Sequence, residues 1–336
     1  MVRLLVTGAT GFIGKRLVRS LLSWGHDVRC LVRRSSRVDS LDPRAELFTG
    51  NLLDISSLRK ATVDRDVVFH LAGKTISPSK RELVEANGRG TNNVLAACAG
   101  QPNPPVCVVV SSLAAAGTSP PGRMQTESDL SMPISNYGFS KRVGEVCAHR
   151  WARELPVSVV RPGIVFGPGN VELLPVFRAI YQFRFHAVPT FGRREIAFIH
   201  VDDLIDILDR VVYQGARISA TCNGNGTSSL GYYFANDDQF LTFAQFGRMI
   251  GRAFGVGSPC IFHVPESLLW AIAGFWQLAK RQNSDHFNLD KIREAIAGEW
   301  TSSNERAKLD LQYHPTCSLQ VRINQTANWY RESGWL

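Results

Sequence analysis

Thr7-Gly8-Ala9-Thr10-Gly11-Phe12-Ile13-Gly14 is the stretch on which the reading of the fold turns. It comes after an apolar run, Val2–Val6, and opens an amphipathic segment, Ile13–Leu22. The chain is therefore expected to pass from a strand through a glycine loop into a helix. Glycine lets the backbone turn tightly and lets another group approach its N–H. The first N–H groups of a helix lack intrahelical partners and carry partial positive charge, so a loop of this kind in a strand-loop-helix unit suits a dinucleotide diphosphate. The spacing is G-x-x-G-x-x-G rather than the commoner G-x-G-x-x-G, and the strand-loop-helix context gives it weight.

Outward from the loop, short apolar runs alternate with helical patterns. Val28–Val32, Val67–Leu71, Val106–Val110 and Val157–Val160 read as buried strands, and Glu82–Ala99 and Tyr137–Arg153 as helices. Near-continuous hydrophobicity in the strands indicates a sheet covered on both faces, and the alternation indicates right-handed βαβ units in a doubly wound parallel sheet of α/β class. Gly231–Ala235 is expected to return to that sheet, and Thr242-Phe243-Ala244-Gln245 reads as a capping box. The nucleotide-binding domain is assigned to residues 1–169, completed by 199–256. Residues 170–198 and 257–336 form a smaller mixed α/β C-terminal lobe for the substrate.

Composition sets limits. Of 336 residues, 44% are hydrophobic and 20% charged, an ordinary globular balance. The net charge of +9 is spread over scattered Lys and Arg without runs, so no nucleic-acid partner is expected. Seven cysteines without a C-x-x-C pair and histidines without ligand spacing argue for a reducing compartment and no metal. Val2–Thr7 enters the glycine loop directly, so it reads as a strand and not a secretion signal, and a cytoplasmic location is expected. Asn225-Gly226-Thr227 and Asn324-Gln325-Thr326 match a glycosylation acceptor, which has no meaning without secretion.

The second strand ends Leu31-Val32-Arg33-Arg34-Ser35, with no carboxylate to accept the ribose hydroxyls of NAD. Arg33 there suits a 2′-phosphate, which favours NADP(H) over NAD(H); the plain alternative is a pair of solvated loop charges. Tyr137 and Lys141 lie four apart on one helix face. A phenol titrates near ~10, and a neighbouring ammonium and the positive nicotinamide ring would both favour its ionised form and lower that value. Tyr137 can then exchange a proton with a carbonyl or alcohol oxygen. Ser111 and Ser112 end a strand at the carboxyl edge, where ligands bind in such sheets; they are either oxygen-binding hydroxyls or simple caps.

Together these stretches resemble the extended short-chain dehydrogenase/reductases, the NAD(P)-dependent epimerase/dehydratase superfamily. The motifs are Thr7–Gly14, Gly50-Asn51-Leu52-Leu53-Asp54, His70-Leu71-Ala72-Gly73, Asn87-Gly88-Arg89-Gly90-Thr91, Ser111-Ser112, Tyr137–Lys141, Arg161–Pro168, Phe198–Leu204 and the tail Trp329–Trp335. The sequence is most similar to the branch of dihydroflavonol reductases and hydroxysteroid dehydrogenases. The resemblance implies that Ser112, Tyr137 and Lys141 are catalytic. It implies cofactor contacts from Gly8, Thr10, Gly11, Phe12, Ile13, Gly14 and Arg33, from Asn51, Leu52, Leu71, Ala72 and Gly73, and from Pro162, Gly163, Ile164 and Val165. Asn51 stands where aspartate is usual, and Ala116 where sugar-nucleotide members carry tyrosine.

The expected activity is hydride transfer between nicotinamide and a ketone or secondary alcohol of a small, apolar substrate of dihydroflavonol, steroid or fatty-ketone type. One rival is a sugar-nucleotide epimerase or dehydratase, with Arg178, Arg184, Arg193 and Arg194 gripping a diphosphate. Another is a cofactor-sensing protein without turnover, against which the complete Ser112, Tyr137 and Lys141 set argues. A homodimer packing Glu82–Ala99 and Tyr137–Arg153 against a second copy is expected from the resemblance. Ser267–Ala279 is apolar on almost every face. It is either a core or lid helix or a peripheral membrane contact, with Trp270 and Trp276 at the interface and Lys280 and Arg281 at the headgroups.

Overall fold

A computed structural model of the chain describes residues 1–189, 194–219, 229–271 and 289–336. Strand β1 (Arg3–Thr7) lies inside a seven-stranded sheet, between β2 (Asp27–Val32) and β4 (Val67–His70). Beyond β2 lies β3 (Glu46–Thr49). Beyond β4 lie β5 (Val106–Val110), β6 (Val157–Pro162) and β10 (Tyr232–Ala235). Every pairing is parallel. This is the doubly wound, Rossmann-type α/β sheet expected from the sequence, and the order 3-2-1-4-5-6 reverses direction between β1 and β4.

Both faces are covered, which is why the strands are apolar at successive positions. On one face, α1 (Phe12–Ser23) and α8 (Val201–Tyr213) pack Leu17, Leu21, Leu204 and Leu208 against Leu4 and Val6. On the other, α2 (Ile55–Ala61), α4 (Gly90–Ala99) and α6 (Asn136–Trp151) bring Leu58, Leu95 and Ala148 against Leu5, Val68 and Val109.

The helix expected over Glu82–Ala99 is not uniform. It consists of α3 (Lys80–Val84), a π-helical turn at Glu85–Arg89, and α4. Sequence periodicity does not reveal a single widened turn, but a packing reason for it is visible. A Cβ on Gly88 would lie 2.6 Å from Val143 Cγ1 of α6, and one on Gly144 would lie 2.6 Å from the Asn87 carbonyl oxygen. The turn and α6 touch backbone to backbone.

The smaller lobe holds two further sheets. In one, β9 (Glu195–His200) pairs parallel with β7 (Ile164–Phe166) and antiparallel with β11 (Phe240–Thr242). In the other, β8 (Phe185–Pro189) pairs parallel with β12 (Cys260–Val264). Helices α7 (Leu174–Phe183) and α9 (Phe243–Ala253) surround an aromatic core of Phe166, Phe177, Phe198, Phe246 and Tyr330. The capping box at Thr242 and Gln245 opens α9. The chain continues through α10 (Leu289–Ile296), α11 (Glu305–Leu311) and α12 (Leu319–Glu332). Packing crosses the sequence division at residue 256: α9 belongs to the aromatic core, whereas Ala307 and Leu311 of α11 join the core under α1 and α8.

Arg193, Cys222, the Asn225-Gly226-Thr227 tripeptide and positions 272–288, with Trp276, Lys280 and Arg281, lie outside the described residues. Residues 266–271 are helical. Within them Leu268 is 44% and Trp270 39% exposed, so this part of the apolar segment does not face a core. No described helix is long and apolar enough to cross a membrane.

Two buried histidines close strands. His70 ends β4, its ring nitrogens 2.7 Å from Thr7 Oγ1 and 3.0 Å from Thr91 Oγ1. His200 ends β9. Burial pushes both down to about 3, against ~6.5 in an unfolded chain. Between those limits the unfolded state binds protons that the folded state refuses. Stability is therefore complete above pH 6.5 and lost as pH falls toward 3, by about 2 kcal/mol per histidine from pH 7 to pH 5. Urea unfolding should show a lower midpoint at pH 5 than at pH 7; equal midpoints would contradict two histidines held neutral.

Candidate active site

Strand register assembles the site. Thr7 lies level with Leu31 on one side and His70 on the other, His70 with Val109, and Val110 with Val160. The residues just beyond these positions emerge along one carboxyl edge: Gly8, Arg33, Leu71, Ser111 and Pro162. Asn51 joins them through β3, since Val32 lies level with Thr49.

In the glycine loop, Gly8 has φ +77°, and a Cβ there would sit 2.6 Å from Ala72 N. The loops after β1 and β4 are thus in backbone contact, braced by Ala72 N–H donating to Thr7 Oγ1 at 3.3 Å. A Cβ on Gly14 would fall 2.1 Å from the Gly8 carbonyl oxygen. Gly11 is the exposed N-cap of α1, which has no side-chain cap and no acidic residue in its first turn. By contrast α2, α6 and α8 are capped by Asp54, Ser135 and His200. Thr10, Phe12 and Ile13 flank this uncapped end, half-buried. Its free N–H groups, in a cradle where side chains are sterically barred, fit a cofactor diphosphate.

The remaining expected contacts occupy the same edge. Arg33 and Arg34 are exposed, and no described residue bonds either guanidinium. Asn51 is exposed, with Oδ1 accepting from Leu53 N–H at 3.0 Å, while Leu52 packs under Gly90. Leu71 and Ala72 are half-buried. Gly73 leaves room for Asn87, whose Oδ1 would lie 2.7 Å from a Cβ there. Asn87 ties this loop to α6: it accepts from Lys74 N–H at 2.8 Å and donates to Ser140 Oγ at 2.8 Å. Pro162 ends β6, and a Cβ on Gly163 would meet the Ala197 carbonyl oxygen at 2.4 Å. Ile164 and Val165 begin β7 at the rim.

Ser112 accepts from Ala114 N–H at 3.1 Å, capping the short helix α5 (Leu113–Ala116), and its hydroxyl lies beside the Tyr137 phenol, where it favours the ionised form. Ser112 is therefore both a cap and a partner of the candidate acid. Its neighbour Ser111 is neither, because its Oγ donates to Glu145 Oε1 at 2.6 Å. Lys141 donates Nζ–H to the Val110 carbonyl at 2.7 Å, and burial lowers its ammonium to about 8. The expectation of a lowered phenol pKa for Tyr137 is corrected here. Burial raises it, and the cation that opposes the rise is Lys291, aided by the neighbouring Ser112 hydroxyl.

Two features of the site escaped the sequence reading. One is a buried ion pair. Arg161 of β6 donates Nε–H to Glu145 Oε1 at 2.8 Å and Nη2–H to Oε2 at 2.7 Å, and stacks on Tyr232 at 4.9 Å. The other is α10. Asp290 accepts from Asn136 N–H at 2.8 Å and Tyr137 N–H at 2.9 Å, and Ser135 Oγ donates to Glu294 Oε1 at 2.6 Å. Apolar spacing at Leu289, Ile292 and Ile296 marks a helix in the sequence, but nothing there says where it docks. Two of the four arginines considered as a diphosphate grip are engaged elsewhere: Arg178 donates to the Trp335 carbonyl at 2.6 Å, and Arg194 pairs with Glu266 at 3.3 Å. Arg184 sits at the left-handed C-cap of α7.

This geometry agrees with the comparisons. Residues 4–221 match the model of the NAD dependent epimerase/dehydratase family. The chain belongs to this family. Its members couple a nicotinamide cofactor to reduction, epimerisation or dehydration. The chain is 29% identical to the ceramide reductase of Caulobacter vibrioides, over 98% of this chain and 95% of that protein. It is 33% identical to a putative dihydroflavonol 4-reductase of Synechocystis over 59% of this chain and 60% of that one, which agrees with the expected branch. The crystal structure of gox2253 superposes with a TM-score of 0.79 at 24% identity, covering 99% of each chain, and shares the fold.

Proposed function

We propose that this family member is an NADP(H)-dependent reductase that converts a ketone of an apolar, lipid- or flavonoid-like molecule to a secondary alcohol. The observation that carries the reading is the Ser112 hydroxyl placed beside the Tyr137 phenol, one helical turn from Lys141. Two hydroxyls so placed can converge on one carbonyl oxygen. Ser112 donates a hydrogen bond that polarises the oxygen, and Tyr137 passes its phenolic proton to it as negative charge develops. Bound nicotinamide supplies the hydride to the carbonyl carbon. Gly8, Thr10, Gly11, Phe12, Ile13 and Gly14 would hold the diphosphate end. Asn51 and Leu52 would contact the adenine, and Leu71–Gly73 with Pro162–Val165 would line the remainder. Lys141 would hold the ribose hydroxyls.

An apolar substrate is supported by the resemblance to a ceramide reductase and a dihydroflavonol reductase. It is supported also by the engagement of Arg178 and Arg194, which leaves the sugar-nucleotide alternative without those two cations. Buried Ala116, in place of a tyrosine, points the same way. NADP(H) is favoured because Arg33 stands exposed and unbonded where NAD enzymes carry a carboxylate. A two-fold homodimer through α6 and the preceding helix is supported by the outward-facing Phe139 and Val146, seven residues apart on one face of α6.

Tyr137→Phe should bind cofactor with unchanged affinity and lose about 100- to 10,000-fold in turnover of aliphatic and aromatic test ketones. Near-normal turnover would sink the mechanism. Calorimetry should find NADPH bound more tightly than NADH, with the gap narrowed in Arg33→Ala; equal affinities in the parent protein refute the preference. Light scattering at micromolar concentration should report twice the chain mass, and a monomer there counts against the dimer.

A further inference from the structure

The smaller lobe reaches back to the candidate acid through one helix. Helix α10 starts 152 residues after Tyr137 in sequence, yet its first turns lie against the first turn of α6. Asp290 takes the N–H groups of Asn136 and Tyr137, two donors that α6 itself cannot satisfy. Glu294 takes the hydroxyl of Ser135, which in turn accepts from Gly138 N–H at 2.8 Å. Between these carboxylates, Lys291 places Nζ 5.0 Å from the centroid of the Tyr137 ring, within cation–π range, and 3.1 Å from Glu294 Oε2. The α6 N-terminus is thus held so that one ammonium meets the phenol.

We propose that Lys291 is a positioning residue for Tyr137: its ammonium, fixed over the phenol by α10, supports the phenolate that forms when Tyr137 gives up its proton. The inference rests on the acid role of Tyr137 proposed above. The charged groups facing that phenol are Lys291 and Glu294 on α10 and Glu172 on the segment before α7; Lys141 lies one turn along α6 and donates to the Val110 carbonyl. The two glutamates oppose ionisation and Lys291 favours it. Its side chain is 43% exposed, so the effect is that of a single charge near the surface.

The test reads the phenol without needing a substrate. The full chain, labelled with carbon-13 at the tyrosine ζ position, is titrated by NMR, with Tyr137 assigned by its absence from Tyr137→Phe. In Lys291→Met the Tyr137 titration should move to higher pH by about one unit, a roughly tenfold loss of ionised phenol at fixed pH. Lys291→Arg should restore it. An unmoved titration in Lys291→Met, or an equal displacement in Met and Arg variants, overturns the proposal. The outcome does not depend on turnover, so an inactive protein with a Lys291-dependent phenol would count against the reductase reading alone.

Discussion

The pair formed by Glu145 and Arg161 is the interaction on which the site depends. Both side chains are almost fully excluded from solvent. Charges in such surroundings are tolerated only when their hydrogen-bonding capacity is met. Here it is: Glu145 also accepts from Ser111 and Arg142, and Arg161 donates further to Ser131 at 3.0 Å. The pair joins the middle of α6 to β6, and through Ser111 to the end of β5. The spacing between the helix that carries Tyr137 and Lys141 and the strand end that carries Ser112 is therefore set by short, directional bonds rather than by apolar contact alone.

A second brace works from the lobe side. Arg322 of α12 pairs with Asp203 of α8, Nε to Oδ2 at 2.9 Å, in a largely buried setting. Helix α8 lies on the sheet and α12 in the aromatic core, so this pair fastens the smaller lobe to the layers of the parallel sheet. Together with the Asp290 cap on α6, it makes the cleft edge a joint of polar contacts between segments far apart in sequence.

How much of the molecule was legible in the sequence depends on the range of each interaction. The glycine loop was legible because strand, turn and helix are adjacent, and the crowding at Gly8 and Gly14 is a local backbone demand. The four-residue spacing of Tyr137 and Lys141 was legible for the same reason. The parallel sheet was legible from its runs of buried residues. By contrast, Glu145 and Arg161 look like ordinary surface charges until α6 is laid on β6. The direction of the Tyr137 shift was misjudged because the cation was sought on its own helix, whereas the one that opposes burial comes from α10. The parallel pair of β8 and β12 was invisible because side-chain polarity does not mark the buried face, β8 burying His186 while exposing Phe185, and the packing of α9 with the lobe depends on a face whose partner lies near residue 323.

The π turn at Glu85–Arg89 has a consequence for how this region tolerates change. Each residue added to a helix rotates the remainder of that helix by about 100°. A widened turn absorbs one such residue locally, so the helical phase before it, which buries Leu83, is decoupled from the phase after it, which buries Val94 and Leu95. Loss of one residue from this turn would restore a regular α-helix and swing one of those faces away from its core. It would also carry Asn87 off its bonds to Lys74 and Ser140. The length of this segment is therefore constrained more tightly than its composition, and variation here is expected to be by substitution and not by insertion or deletion.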